Sequence, residues 1–324
     1  MSTETAAGSS GSGSGSASSS VNLESVRAVA KKDFQDAVRS WMFWGLSVFF
    51  FLLLVGVTGG ISYFSAEVSP TQAETTGALV SLVSQMTKGI IPLIALVLGW
   101  KAIAGERETG SIKVLLSLPH SRKDVLLGKL IGRAAVLSLS LIVGFVLAAV
   151  AVAAILGSFD VVEYAGLLAM AILYGLAYTS IAVSLSSMTK STTIAGAAVF
   201  GVFLLFYAVW NLLLTGINIL VTRGTIDGVE YTRTFEMPNG ATEQITSQRA
   251  PDWALFIDSL DPGNAFANAL SIISDTVTGT TYPDYYFPDG MPFFLEDWFS
   301  FIILLLWIVV PLAVALWRFD RVDL

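Results

Sequence analysis

The chain has 324 residues, 54% of them hydrophobic and 13% charged, and a mean hydropathy of +0.71. Soluble domains carry ~25% charged residues, so the composition is that of a polytopic membrane protein. There is no Cys and one His, His120, and the net charge is −7. Disulfides, thiolate nucleophiles and a Cys- or His-rich metal site within one copy are excluded, and the acidity argues against nucleic acid as a partner.

Residues 1–21 are Gly/Ser-rich with little charge and read as a disordered tail. The tail lacks Lys and Arg, and no apolar run precedes Trp41, so it does not read as a signal peptide. Over 22–40, Leu23, Val26, Ala30, Phe34, Val38 and Trp41 recur at helical steps, with Arg27, Lys31, Lys32, Asp36 and Arg39 largely off that stripe. This predicts a cytoplasmic interfacial elbow helix, N-capped by Asn22 with Glu24 in its first turn.

A crossing helix needs about 20 mostly apolar residues. Six segments qualify: Trp41–Phe64, Gly89–Ala104, Ala134–Leu156, Tyr164–Met188, Thr193–Ile217 and Trp298–Trp317. The second is the shortest and is expected to extend outward through 84–88. The fold class is therefore all-α integral membrane. Spans one to five occupy 41–217, with a polar loop at 105–124. A cap follows over 218–297, and the sixth span and tail occupy 298–324.

Thirteen bases fall on one side: Arg27, Lys31, Lys32, Arg39, Arg107, Lys113, Arg122, Lys123, Lys129, Arg133, Lys190, Arg318 and Arg321. Lys88, Arg223, Arg233 and Arg249 fall on the other, with Lys101 near the end of the second span. The positive-inside rule puts both termini and the 105–124 loop in the cytoplasm of a multi-pass cell-membrane protein. The 218–297 loop carries twelve acids against three bases, a balance that fits a high-salt habitat. Within it MPNGA (Met237–Ala241) reads as a hairpin turn. Asp261-Pro262 opens a helix whose Phe266, Leu270, Ile273 and Val277 share a face, lying on or dipping into the outer leaflet.

Ionisable residues inside spans are functional candidates by default, and no carboxylate falls at mid-membrane. Lys88 and Lys101 lie near opposite ends of the second span, and Asp160 and Glu163 in a short turn. That argues against an ion-coupled carrier, and the absence of an HExxH motif argues against a metalloprotease. Asn211, Tyr174, Tyr178, Ser180 and Ser184 read either as helix–helix hydrogen bonds or as the wall of a cavity for an amphipathic substrate. Gly56-x-x-x-Gly60 and Gly128-x-x-x-Gly132 permit close helix approach; Pro92 and Pro311 are sites of kinking. Gly105 and Gly110 have Walker A spacing, but Ser111-Ile112 follow where the phosphate-binding Lys belongs.

The loop GERETGSIKVLLSLPHSRKD (Gly105–Asp124) is a helix–break–helix device. Glu106, Arg107 and Glu108 form a charged exit, and Gly110 stops the helix. Ile112, Leu115, Leu116 and Leu118 make a short apolar helix that Pro119 ends. Ser121 with Asp124 then forms a capping box for the third span. Charged neighbours including Arg107, Lys113, Arg122 and Lys123 rim the apolar face, which suits lipid headgroups or a groove on a partner protein.

The pattern E-R-E-x-G-S-I-x-x-L-L-S-x-P-x-S-R-x-x-x-x-x-G-K, Glu106 to Lys129, resembles the signature after the second span of type-2 ATP-binding-cassette permeases. Ser111-Ile112 stands where Thr-Leu is more usual. The elbow helix, the six spans and the large loop before the sixth also fit. LDPGNAFANAL (Leu260–Leu270) is similar to a Pro-x-x-Ala-Phe segment of permeases associated with nitrous-oxide-reductase and multicopper-enzyme maturation. The resemblance spans about residues 22–324. It implies a dimer, with a like or unlike second permease, on two cytoplasmic ATPase subunits. The loop carrying Glu106, Arg107, Glu108, Gly110, Ile112, Leu115, Leu116, Pro119, Ser121 and Arg122 would be the coupling helix. The turn at Met188–Ser191 would be a second, smaller contact. ATP and Mg would bind the partner, leaving no cofactor, metal or catalytic residue on this chain. The expected role is an exporter's membrane subunit. Two alternatives are an ATPase-coupled anchor that passes force to an outer partner without moving solute, and a stand-alone membrane enzyme using the acids of the cap.

Overall fold

The computed structural model describes residues 21–65, 72–112, 121–157, 159–236, 242–273, 284–288 and 290–319. The tail over 1–20, the MPNGA turn, Lys113, Leu115, Leu116, Leu118, Pro119, Val277 and Arg321 lie outside the described residues.

Helix α1 (Leu23–Val38) starts where Asn22 accepts from the backbone N–H groups of Glu24 and Ser25. Its buried face differs from the sequence stripe. Val26 and Ala30 are buried with Val29, Asp33 and Ala37, while Leu23 and Trp41 are 78% and 86% exposed. Two glycines explain the rotation. A Cβ at Gly128 would lie 2.6 Å from Val29 Cβ, and one at Gly132 would lie 2.9 Å from Asp33 Cβ. The close approach they permit selects the face.

Among the described residues, six helices are long and apolar enough to cross a membrane. They are α2 (Trp41–Ser65), α3 (Gln72–Gly99) with its continuation α4 (Ala104–Glu108), α5 (Arg122–Leu156), α6 (Val161–Met188), a fifth in segments, and α11 (Asp297–Phe319). The fifth comprises α7 (Thr192–Leu204), a π-helical turn at Leu205–Val209, and α8 (Trp210–Thr222). The second and third spans are longer than their apolar runs alone predict. The Ser121 capping box starts α5 well before Ala134, so polar first turns join the helix.

Helix α6 is the most enclosed span and the fifth the least. Tyr174 and Tyr178 of α6 sit fully buried in the main core with Leu96, Leu137 and Phe266. Ser180 Oγ donates to the Ile308 carbonyl at 2.6 Å, so that serine serves as a helix–helix bond. Helix α2 approaches α5 at Gly144, where a Cβ would lie 2.7 Å from Phe50 Cβ; Gly56 and Gly60 meet nothing within 4 Å. The Gly56/Gly60 pair therefore makes no close contact among the described residues.

Strands β1 (Val229–Glu236) and β2 (Thr242–Arg249) pair antiparallel, with Val229 opposite Arg249 and Glu236 opposite Thr242. That register makes a hairpin. Helix α9 (Asp252–Ser259) leads to α10 (Pro262–Leu270), capped by Asp261, which accepts from Asn264 N at 2.7 Å. Ala265, Phe266, Ala269 and Leu270 are fully buried in the main core, so α10 packs into the bundle beside α6 and α11. Trp307 Nε1 of α11 donates to the Leu260 carbonyl at 2.9 Å and holds this junction.

Candidate functional site

The end of the bundle that carries the 105–124 loop is held by a clasp. After Gly99 the second span breaks into a turn over 100–103. A Cβ at Gly99 would lie 2.5 Å from Ala182 Cβ, so α3 and α6 touch there. The backbone N–H groups of Ile103 and Ala104 both donate to Ser186 Oγ at 3.0 Å, which satisfies donors the break would leave open. Helix α4 then ends at Glu108, and Gly110 two residues on turns the chain with a φ of 75° that suits glycine.

An ion network ties α4 to α5 and α1. Lys129 Nζ lies 2.6 Å from Glu106 Oε1 and 2.9 Å from Asp33 Oδ1, and Arg133 Nε lies 3.0 Å from Asp33 Oδ2. The Lys129 and Asp33 side chains are only 11% and 5% exposed. Buried charges of this kind are tolerable only when paired, so each partner fixes the others. Asp124 makes a second tie. Its Oδ1 accepts from Asn22 N at 2.8 Å while its Oδ2 accepts from Ser121 N at 2.9 Å. The start of α1 and the start of α5 thus share one carboxylate.

The loop also grips the turn before α7. Glu108 Oε2 accepts from Thr192 N at 2.8 Å, placing a carboxylate at a helix N-terminus. Arg107 Nη1 donates to the Thr189 carbonyl at 3.0 Å. Ile112 is buried in an apolar cluster with Leu126, Leu130 and Ala315. Glu106, Arg107, Glu108, Gly110, Ile112, Ser121 and Arg122 therefore gather at one end of the bundle. Leu115, Leu116 and Pro119 lie outside the described residues. Sequence reasoning missed Asp33 and Ser186. Asp33 sits between Ala30 and Ala37 on the small-residue face of α1, the one signal that it points inward.

At the opposite end lies a cavity of about 400 Å³, within the size range of small-molecule sites. Lys88 and Pro92 of α3, Tyr174 and Tyr178 of α6, Phe203, Phe206, Tyr207 and Asn211 of the fifth span, and Asp261 and Gly263 border it. Tyr174, Tyr178 and Asn211 thus line a cavity wall together. Lys88 Nζ donates to Asn264 Oδ1 at 2.9 Å, and Asn264 Nδ2 donates to Asp258 Oδ1 at 3.0 Å. Tyr174 stacks on Phe266 at 4.7 Å between centroids, and its hydroxyl donates to the Lys88 carbonyl at 3.1 Å. A Cβ on Gly263 would lie 2.9 Å from Asp261 Oδ2 and 3.2 Å from Lys88 Cε, so glycine keeps the cluster open. Burial pushes the Asp258 and Asp261 carboxyls up to about 6, against the opposing charge of Lys88. The sequence marked Asp261 only as a cap and Lys88 only as a span-end base.

Among the described residues, six helices long and apolar enough to cross a bilayer define a multi-pass membrane protein. The chain belongs to the ABC-2 family of transporter proteins, whose model matches residues 27–324. It is thereby a permease subunit of an ATP-binding-cassette transporter, a class that associates with an ATPase. It is 29% identical over 199 residues to a probable ABC transporter permease protein NosY of Pseudomonas aeruginosa, covering 60% of this chain and 71% of that relative. It is 30% identical over 202 residues to a probable ABC transporter permease protein NosY of Stutzerimonas stutzeri, covering 61% and 72%.

Proposed function

We propose that the chain is the membrane subunit of an ATP-driven exporter and receives its energy at the 105–124 loop from a separate cytoplasmic ATPase. In this reading ATP and Mg reside on the partner, and both termini of this chain are cytoplasmic, as the Lys/Arg asymmetry favours. The carrying observation is the clasp: Glu106, Lys129 and Asp33 link α4, α5 and α1, while Glu108 and Arg107 grip the turn before α7. A push on such a loop reaches the second, third and fifth spans without slack. The little-covered fifth span supports pairing with a second permease copy, like or unlike. The unit boundaries proposed are an interfacial helix over 22–40, a cap over 218–297 and a last span and tail over 298–324.

The test is co-expression with the cognate ATPase. Glu108→Lys, or deletion of 112–118, is expected to abolish co-purification or stimulated ATP hydrolysis. Unchanged assembly and stimulation would overturn the coupling role.

One observation favours a second reading, an ATPase-coupled anchor that passes force to an outer partner. Tyr231 of the hairpin stacks on Tyr286 at 4.3 Å with Arg233 beside Tyr285, a rigid aromatic platform beyond the spans. ATP-dependent uptake of a labelled solute into inverted vesicles would favour the exporter; stimulated hydrolysis with no solute moved would favour the anchor.

A further inference from the structure

The cluster bordering the hairpin-end cavity is not balanced. It holds one base, Lys88, and two acids, Asp258 and Asp261. Asp258 and Asp261 are 8% and 5% exposed. Lys88 and Asp258 are joined through Asn264, and Asp261 Oδ2 is satisfied by Asn264 N. Asp261 Oδ1 is buried and has no hydrogen-bond partner among the described residues. Such an acceptor costs free energy unless a donor reaches it. The same cavity is lined by Tyr178 and Phe206 from the core and by Phe203 and Tyr207, whose rings stack at 5.2 Å. Aromatic faces attract cations, and an unanswered carboxylate oxygen asks for a charged N–H. A ligand carboxylate would meet Lys88 but also Asp261.

We propose that this cavity binds an amphipathic organic ammonium ion, whose N–H donates to Asp261 Oδ1 and whose apolar body lies against the aromatic wall. The ligand's charge would neutralise the surplus acid, and Lys88 would oppose it. The site concerns binding alone; it stands or falls independently of transport direction and of ATPase coupling.

The test is calorimetric titration of the full chain in lipid nanodiscs, corrected with empty discs, using 4-phenylbutylamine, its N-acetyl derivative and 4-phenylbutyrate. The amine is expected to bind saturably, and the other two at least about tenfold more weakly, since a charge-assisted hydrogen bond contributes roughly that factor or more. Asp261→Asn keeps an N-cap acceptor and is expected to weaken the amine by about tenfold. Lys88→Gln is expected to tighten it, which carries the test with the opposite sign if Asp261→Asn fails to fold. Equal affinity for the amine and its N-acetyl derivative, preference for the carboxylate, weaker amine binding by Lys88→Gln, or no binding by the amine would each overturn the proposal.

Discussion

Lys129 answers two carboxylates from two different helices, Glu106 and Asp33. Removing one member of a buried ion cluster leaves charges unpaired and costs about 3 kcal/mol or more. Lys129→Ala is therefore expected to lower the thermal unfolding midpoint in detergent clearly, and more than Arg133→Ala, whose partner Asp33 keeps Lys129. The acids at the other end act through pH. The Asp258 and Asp261 carboxyls rise from 3.8 to about 6, so the native state holds protons that the unfolded chain has released. Their contribution to stability is full below 3.8 and is lost as pH rises through about 6. Asp258→Asn is expected to flatten that part of the unfolding profile, read as midpoints across a pH series. Amine affinity at the cavity runs the other way. It falls as pH drops through about 6 and Asp261 takes up a proton, with Lys88, Asp258, Tyr174 and Tyr178 the ionisable groups around it.

Among the elements, glycines decide how close the helices come. Gly128→Leu would drive a side chain into Val29 and is expected to cost about 1–3 kcal/mol. It should also free α1, which limited proteolysis would show as early cleavage between α1 and the first span. Gly56→Leu, where nothing lies within 4 Å, is expected to leave that cleavage unchanged. The six spans were legible in the sequence because a bilayer demands long apolar runs. The caps at Asn22, Ser121 and Asp261 were legible because capping is local chemistry between a side-chain oxygen and N–H groups two or three residues on. The buried face of α1 was not legible, since it is set by Gly128 and Gly132 on another helix. The break at 100–103 depends on Ser186, and Lys88 reaches Asn264 from 176 residues away. No pattern within one segment encodes contacts of that range. The motif singles out the loop's charged residues, but their partners Asp33 and Thr192 are set by packing.

At the scale of the whole molecule, the second span joins the two sites. It carries Lys88 and Pro92 at the cavity, continues through the Ser186-held turn, and ends in Glu106 and Glu108 at the clasp. A displacement of the loop would therefore act on a helix that also walls the cavity. This arrangement has value only if an ATPase engages the loop, and the absence of cysteine offers a direct way to ask. Ser111 is exposed beside Ile112, and Ser111→Cys would be the sole thiol in the chain. Labelled with a photo-activatable cross-linker and assembled with the cognate ATPase, it is expected to give an adduct with that subunit whose yield changes with ATP. Thr246→Cys on the hairpin is expected to give none. An ATPase adduct from the hairpin position, with none from position 111, would contradict the account.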